Sequence, residues 1–171
     1  PTIIITSPPY ANRYDYTRTY SLELCFHFVK NFEELKAIRF GILRSHIESK
    51  IKRGEIPPHP VIKEVVELLN RKKLNNPKIP SMIVTYFIDM QKVIKEWFKV
   101  LAPGAKVAMV VDNVRFEGEL IPVDLVLSEM AEEAGFEVKE IIVARYKGNS
   151  SQQMKKYGKV PVRESIVIWE R

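Results

Sequence analysis

Thr6-Ser7-Pro8-Pro9-Tyr10 gathers two hydroxyls, two prolines and a phenol into five consecutive residues. The prolines hold φ near −65° and bring no N–H, so the Ser7 hydroxyl and the Pro8 carbonyl stand as acceptors on a rigid turn. Paired acceptors suit an amino group whose lone pair is delocalised into a ring, such as cytosine N4 or adenine N6. Accepting hydrogen bonds from the amino hydrogens localises that pair and makes the nitrogen nucleophilic. Tyr10 adds a flat face on which a base stacks, worth about 1–3 kcal/mol per base in single-strand binders. Ser7, Pro8, Pro9 and Tyr10 are therefore the candidate catalytic residues. The same string also occurs as an ordinary surface turn, so the flanking elements have to decide between the two readings.

Arg13, Tyr14, Tyr16, Arg18 and Tyr20 follow directly and interleave basic with aromatic side chains. That pattern suits phosphate pairing beside base stacking, and equally a helix start whose tyrosines pack inward. Near the other end, Lys147, Asn149, Ser150 and Gln152 offer contacts to backbone or base edges, although a solvated charge run is the commoner origin of such lysines. His27, His46 and His59 have no carboxylate or cysteine at ligand spacing and read as structural, so no metal is expected. Cys25, beside Phe26 and Phe28, reads as a small buried hydrophobe.

The elements that position these residues come from a chain of 171 residues, the size of one domain. With 46% hydrophobic and 28% charged residues, it is neither disordered nor a collagen-like or disulfide scaffold. The net charge of +6 favours a polyanionic partner only weakly. A single cysteine points to a reducing, cytoplasmic setting. No apolar run reaches the roughly 18 residues of a spanning helix, and Ile3-Ile4-Ile5 lacks the basic flank of a signal peptide, so no membrane is expected as partner. The chain opens on Pro1 rather than Met, as a fragment of a longer product would.

Thr2 to Thr6 reads as a buried strand stopped by the prolines. Leu22 to Arg53 permits helix, Pro60 opens another, and Ser81 is placed to cap a long helix from Met82 to Leu101 with apolar residues at spacings of three and four. Val107 to Val111 is a continuous apolar run, expected to be a strand covered on both faces. A helix from Pro122 to Ala134 closes at Gly135. Val138 to Ala144 and Glu164 to Glu170 are expected as an antiparallel pair. The order predicts an α/β doubly wound sheet that ends in an antiparallel hairpin. In such sheets ligands bind beyond the carboxyl ends of the parallel strands, where Ser7 to Tyr10 lies.

With these elements in place, Ser7-Pro8-Pro9-Tyr10 after an apolar strand resembles motif IV of the S-adenosylmethionine-dependent amino methyltransferases of DNA. The segments Asn12 to Tyr20, Asp112-Asn113, Lys147 to Met154 and Arg163-Glu164-Ser165 look like these enzymes too. The resemblance implies a Rossmann-like methyltransferase sheet, S-adenosyl-L-methionine as cofactor, double-stranded DNA as partner in a restriction–modification setting, and a flipped target base. The serine form of the motif implies cytosine N4 in preference to adenine N6. It also implies that Thr6 and Ser7 form one edge of the cofactor site. The glycine-rich cofactor loop of the family is missing: the seven glycines are never closer than ten residues, so no Gly-x-Gly turn exists. Residues 1–171 are accordingly expected to be the catalytic half of one domain, a partial domain completed by another segment of the protein or a partner chain. Two alternatives stay open at this point, an amino methyltransferase of RNA and a non-catalytic DNA-binding module of the same fold.

Overall fold

The computed structural model of the chain describes residues 1–48, 50–148, 157–158 and 160–171. A four-stranded sheet carries the architecture, with β1 (Ile3–Thr6), β2 (Lys106–Asp112), β5 (Glu137–Lys147) and β6 (Val162–Glu170) in the order β1-β2-β6-β5. β1 and β2 are parallel, with Thr6 level with Met109, and the crossover between them contains the long helix α5 (Ile79–Val100). β6 lies antiparallel to both β2 and β5, with two register shifts in the β5 pairing. This is the expected mixed α/β sheet with a closing antiparallel hairpin.

One face of the sheet is packed. Val107, Met109 and Val111 of β2 and Val167 and Trp169 of β6 are fully buried beneath α5 and α6 (Val123–Ala134), together with Met82, Phe87, Met90 and Ile94 of α5. Trp169 is tied down by its indole N–H, which donates to Ser128 Oγ at 3.2 Å. The other face is different. Residues one step along each strand in the paired register, Ile3, Ile5, Ala108, Val110, Ile166 and Ile168, point the opposite way. Among the described residues this face stays open, with Ile3 58% and Ile5 76% exposed and the other four half-buried. β1 is thus not the buried strand its composition predicts, and β2 is covered fully on one face alone. An apolar strand at a sheet edge loses its cover when no element lies on the second face.

Three further expectations are corrected. The stretch from Leu22 to Arg53 is not one helical segment. It holds α2 (Ser21–His27) and α3 (Phe32–Gly41), preceded by the single turn α1 (Tyr16–Thr19), and then runs irregularly to α4 (Pro60–Asn70). The interruption is made by Asn31, whose side chain accepts from the Glu34 N–H at 3.0 Å while Glu34 accepts from the Lys30 N–H at 2.7 Å, a reciprocal cap that starts a new helix. Ser81 does not cap α5, which begins earlier at Ile79 because Pro80 sits in the first turn, where a missing N–H costs nothing. Cys25 is exposed rather than buried, because α2 has no buried residue at all.

The irregular stretch after α3 is held by Arg44, whose guanidinium donates to both oxygens of Glu55 (2.8 and 2.9 Å) and both of Asp89 (2.7 and 2.9 Å). A short hairpin, β3 (Val114–Phe116) with β4 (Glu119–Ile121), follows β2 and was not legible as a strand pair. No helix among the described residues is long and apolar enough to cross a membrane.

Candidate active site

The turn from Ser7 to Tyr10 leaves the carboxyl end of β1 on the edge of the sheet where β2 also ends, at Asp112. The antiparallel β6 places Glu164 directly opposite Asp112, and the outer strand β5 brings Arg145 opposite Glu164. Alternation along β2 and β6 puts Asp112 and Glu164 on the open face, above Val110 and Ile166. Four strands therefore bring polar groups together at one corner of the open face, above the apolar side chains of Val110 and Ile166.

Within that corner, Ser7 Oγ and Tyr10 Oη lie 3.3 Å apart. The Tyr10 phenol donates to Glu164 Oε1 at 3.1 Å. Lys147 Nζ donates to Asp112 Oδ2 at 2.8 Å and to Glu164 Oε1 at 3.2 Å, and lies 5.5 Å from the centroid of the Tyr10 ring. Arg145 donates from Nε to the other Glu164 oxygen. Asp112 is only 8% exposed, and its Oδ1 has no hydrogen-bond partner among the described residues.

The electrostatics follow from these partners. Hydrogen bonding from Arg145, helped by Lys147 and Tyr10, outweighs burial and holds Glu164 down at about 2. Burial raises the Asp112 carboxyl above its ordinary value, and Lys147 offsets that only in part. Burial also pushes the Tyr10 phenol up, with the Glu164 carboxylate adding to the rise and the bond to Ser7 and the charge of Lys147 opposing it.

The remaining expected site residues fall in several places. Thr6 ends β1, half-buried, and Ser7 is exposed. Arg13 adopts a left-handed backbone, φ 72°, and lays its guanidinium 5.7 Å from the centroid of the Phe116 ring. Tyr14 meets Tyr16 edge-on at 4.8 Å, and Tyr16 stacks with Tyr20 at 6.4 Å, so the tyrosines form a row in which Tyr14 and Tyr20 are exposed. Arg18 is engaged within the chain, by Asp15 and Glu48, as Lys147 is by Asp112 and Glu164. Asn149, Ser150 and Gln152 lie outside the described residues.

His46 comes close to Asp15 and Glu48, with candidate ligand atoms within 4.8 Å of one another. Arg39 and Arg18 already neutralise both carboxylates. His59 accepts from the Val61 N–H to cap α4 and pairs with Glu129 at 2.8 Å.

Glu164, Asp112 and Arg145 were not singled out as site residues from their types. The signal was nevertheless there: a carboxylate within or at the end of a strand whose neighbours are apolar must find partners, and here they come from strands distant in sequence.

A cofactor site for S-adenosyl-L-methionine does not fit within these residues alone. Five described glycines have positive φ, at positions 54, 104, 118, 135 and 158, and none lies in the turn that follows β1 or β2. Among the described residues, then, no glycine turn stands at the end of β1 or β2 to cradle such a group.

The fold and this corner define a mixed α/β domain with a rigid acceptor turn at the carboxyl edge of its parallel strands. Comparison with known proteins gives the class a family setting. The chain is 39% identical over 193 residues to the Type II methyltransferase M.BsoBI of Geobacillus stearothermophilus. It is 43% identical over 182 residues to the Type II methyltransferase M.AvaI of Nostoc sp. PCC 7120. Each match covers 98% of this chain, which spans 38% of the length of either relative. No family model matches. A solved chain from Thermus thermophilus, assigned as a DNA modification methylase and complexed with S-adenosyl-L-methionine, aligns with 99% of this chain and 47% of its own. The TM-score is 0.44 and the sequence identity 14%.

Proposed function

We propose that residues 1–171 form the base-binding half of a DNA amino methyltransferase that uses S-adenosyl-L-methionine, with cytosine N4 preferred over adenine N6. The observation that carries this reading is the acceptor turn Ser7-Pro8-Pro9-Tyr10 at the carboxyl edge of β1, in a chain whose relatives are named Type II methyltransferases. In this reading Ser7 Oγ and the Pro8 carbonyl accept from the amino hydrogens of a base flipped out of double-stranded DNA, and Tyr10 stacks against it. Ser7, Pro8, Pro9 and Tyr10 are the catalytic set, and Thr6 and Ser7 form one edge of the cofactor site. Arg13 and the tyrosine row flank the flipped strand, and Asn149, Ser150 and Gln152 are further candidates for DNA contacts.

The rest of the methyl-donor site, beyond the edge formed by Thr6 and Ser7, is contributed by chain outside these residues. The open sheet face supports this, because a sheet with parallel strands from βαβ crossovers is ordinarily covered on both faces, and Ile3 and Ile5 are bare. The unpaired edge of β1 takes a further strand, and helices cover Ile3, Ile5, Ala108, Val110, Ile166 and Ile168.

The test is a chimera in which this chain replaces the matching 38% of the Nostoc relative. Transfer of tritiated methyl groups from S-adenosyl-L-methionine to DNA is expected, and it is expected to be lost with Ser7→Ala. Nucleoside analysis of the product then reads the base, N4-methylcytosine being the expected outcome. A soluble chimera that binds the cofactor but methylates no DNA overturns the reading, and N6-methyladenine corrects the base.

A further inference from the structure

We propose that Lys147 and Glu164 clamp the Tyr10 ring, making both positioning residues for a base that stacks on it. The proposal rests on the reading of Tyr10 as a stacking platform. Its basis is geometric: Glu164 fixes the phenol oxygen at 3.1 Å, and the Lys147 ammonium lies 5.5 Å from the ring centroid, within the range at which a cation is attracted to the π face. A four-carbon stem would let that ammonium wander. Asp112 prevents this by holding Nζ at 2.8 Å, from a carboxylate buried at the end of β2.

Two of the three ammonium donors are thereby spent inside the protein, on Asp112 and Glu164. For Lys147 to meet a DNA phosphate it would have to leave two buried carboxylates, one of which, Asp112, has no other cation at hydrogen-bond distance among the described residues. The expectation of Lys147 as a backbone contact is thus replaced by a role exerted through Tyr10. The hairpin β5–β6, distant in sequence from the turn, sets the orientation of the turn's aromatic ring.

Titration of the Tyr10 phenol in the 171-residue chain, followed by NMR of 13Cζ-labelled tyrosine, tests the clamp without recourse to catalysis. The groups that bear on Tyr10 are Ser7 in the turn, Glu164 on β6, Lys147 and Arg145 on β5, Asp112 on β2 and the buried phenol of Tyr86 on α5. Glu164→Gln removes a carboxylate and should bring the Tyr10 titration down toward its ordinary value. Lys147→Met removes a cation and should drive it further up. Because Lys147→Met strands Asp112, the paired change Lys147→Met with Asp112→Asn is the second variant, and Lys147→Arg should restore wild-type behaviour. Shifts of opposite sign support the clamp, and a Tyr10 titration unmoved by either change overturns it.

In the chimera, the paired variant should raise KM for DNA about tenfold with kcat near wild type, as expected when a stacking surface is left unpositioned. The slope of log binding constant against log salt should be unchanged, whereas loss of a phosphate contact would shrink it by about 0.9. A salt slope that shrinks, or a KM that stays put, overturns the positioning role. Failure of the wild-type chimera to methylate counts against the methyltransferase reading and leaves the titration to judge the clamp.

Discussion

Ser7 Oγ and Tyr10 Oη face each other at 3.3 Å across the two prolines, and the same phenol reaches Glu164 on β6. The two hydroxyls thus belong to one hydrogen-bonded unit, and their substitutions should not add. Ser7→Ala should slow methyl transfer by the chimera in single-turnover assays, with DNA affinity near wild type. Tyr10→Ala should weaken formation of the extruded complex, read by 2-aminopurine fluorescence at the target. Tyr10→Phe keeps the ring but leaves Glu164 without its phenol, so a loss of about 1.5–3 kcal/mol is expected for a bond to a charged acceptor. A double-mutant cycle over Ser7→Ala and Tyr10→Phe should give a coupling of at least ~0.5 kcal/mol, and strict additivity would show the two hydroxyls to be independent.

Acid should loosen the site before neutral pH does. Glu164 and Glu55 are both held at about 2 in the folded chain, Glu164 chiefly by Arg145 and Glu55 chiefly by Arg44. A carboxylate depressed on folding contributes stability that is fully present above its unfolded value, about 4.3 for Glu, and that is lost as pH falls toward the folded one. Stability measured by urea unfolding should therefore fall between about pH 4.5 and 2. Part of that fall should disappear in Glu55→Gln, which should also be less stable at pH 7. An identical pH profile in wild type and Glu55→Gln would exclude Glu55 as a contributor.

Buried Asp124 makes a third case. Its Oδ2 accepts from Arg163 Nε and Ser165 Oγ, both at 2.7 Å, and together with Asn113 these partners overcome the effect of burial and lower its pKa. Asp124→Ala leaves a guanidinium and a hydroxyl without their acceptor between α6 and β6, so destabilisation of about 3–5 kcal/mol is expected. Chemical denaturation measures it, and a loss below about 1 kcal/mol would mean that water replaces the carboxylate.

Much of this was legible in residue types. Val107 to Val111, the stop at Gly135 and the pairing of the last two strands appear as expected, because continuous apolar runs and punctuating glycines act locally. Gly135 itself shows why: it takes φ 108° at the end of α6, and a Cβ there would meet the Phe98 ring at 2.6 Å. The polar corner was only half legible. Ser7 and Tyr10 announce themselves by spacing, whereas Glu164 and Asp112 depend on a register between strands more than fifty residues apart in β2 and β6, and the inward turn of Lys147 on the pairing of β5 with β6. The bareness of Ile3 and Ile5 is a property of what surrounds β1, which no pattern within β1 can report.

That local stop yields its own prediction. Gly135→Ala adds a side chain in a left-handed conformation, about 1–2 kcal/mol, and forces the Phe98 ring aside, about 1–3 kcal/mol more. A midpoint drop in thermal unfolding is expected, and Phe98→Leu should relieve part of it in the double variant. An alanine variant as stable as wild type would mean that the α6 terminus has moved.

Ile5 separates the chain by itself from the chain in its larger setting. With 76% of Ile5 in water, Ile5→Lys should change the stability of the 171-residue chain by no more than about 0.5 kcal/mol, as for an ordinary surface position. In the chimera the same residue should lie beneath the helices that cover the open face, and a buried lysine without a partner is strongly unfavourable. Ile5→Lys is therefore expected to leave the isolated chain folded by circular dichroism and to abolish soluble, methylating chimera, while Ile5→Val is tolerated in both. Equal tolerance of lysine in the two settings would show that this face stays in water in the chimera as well, and would count against the proposed cover.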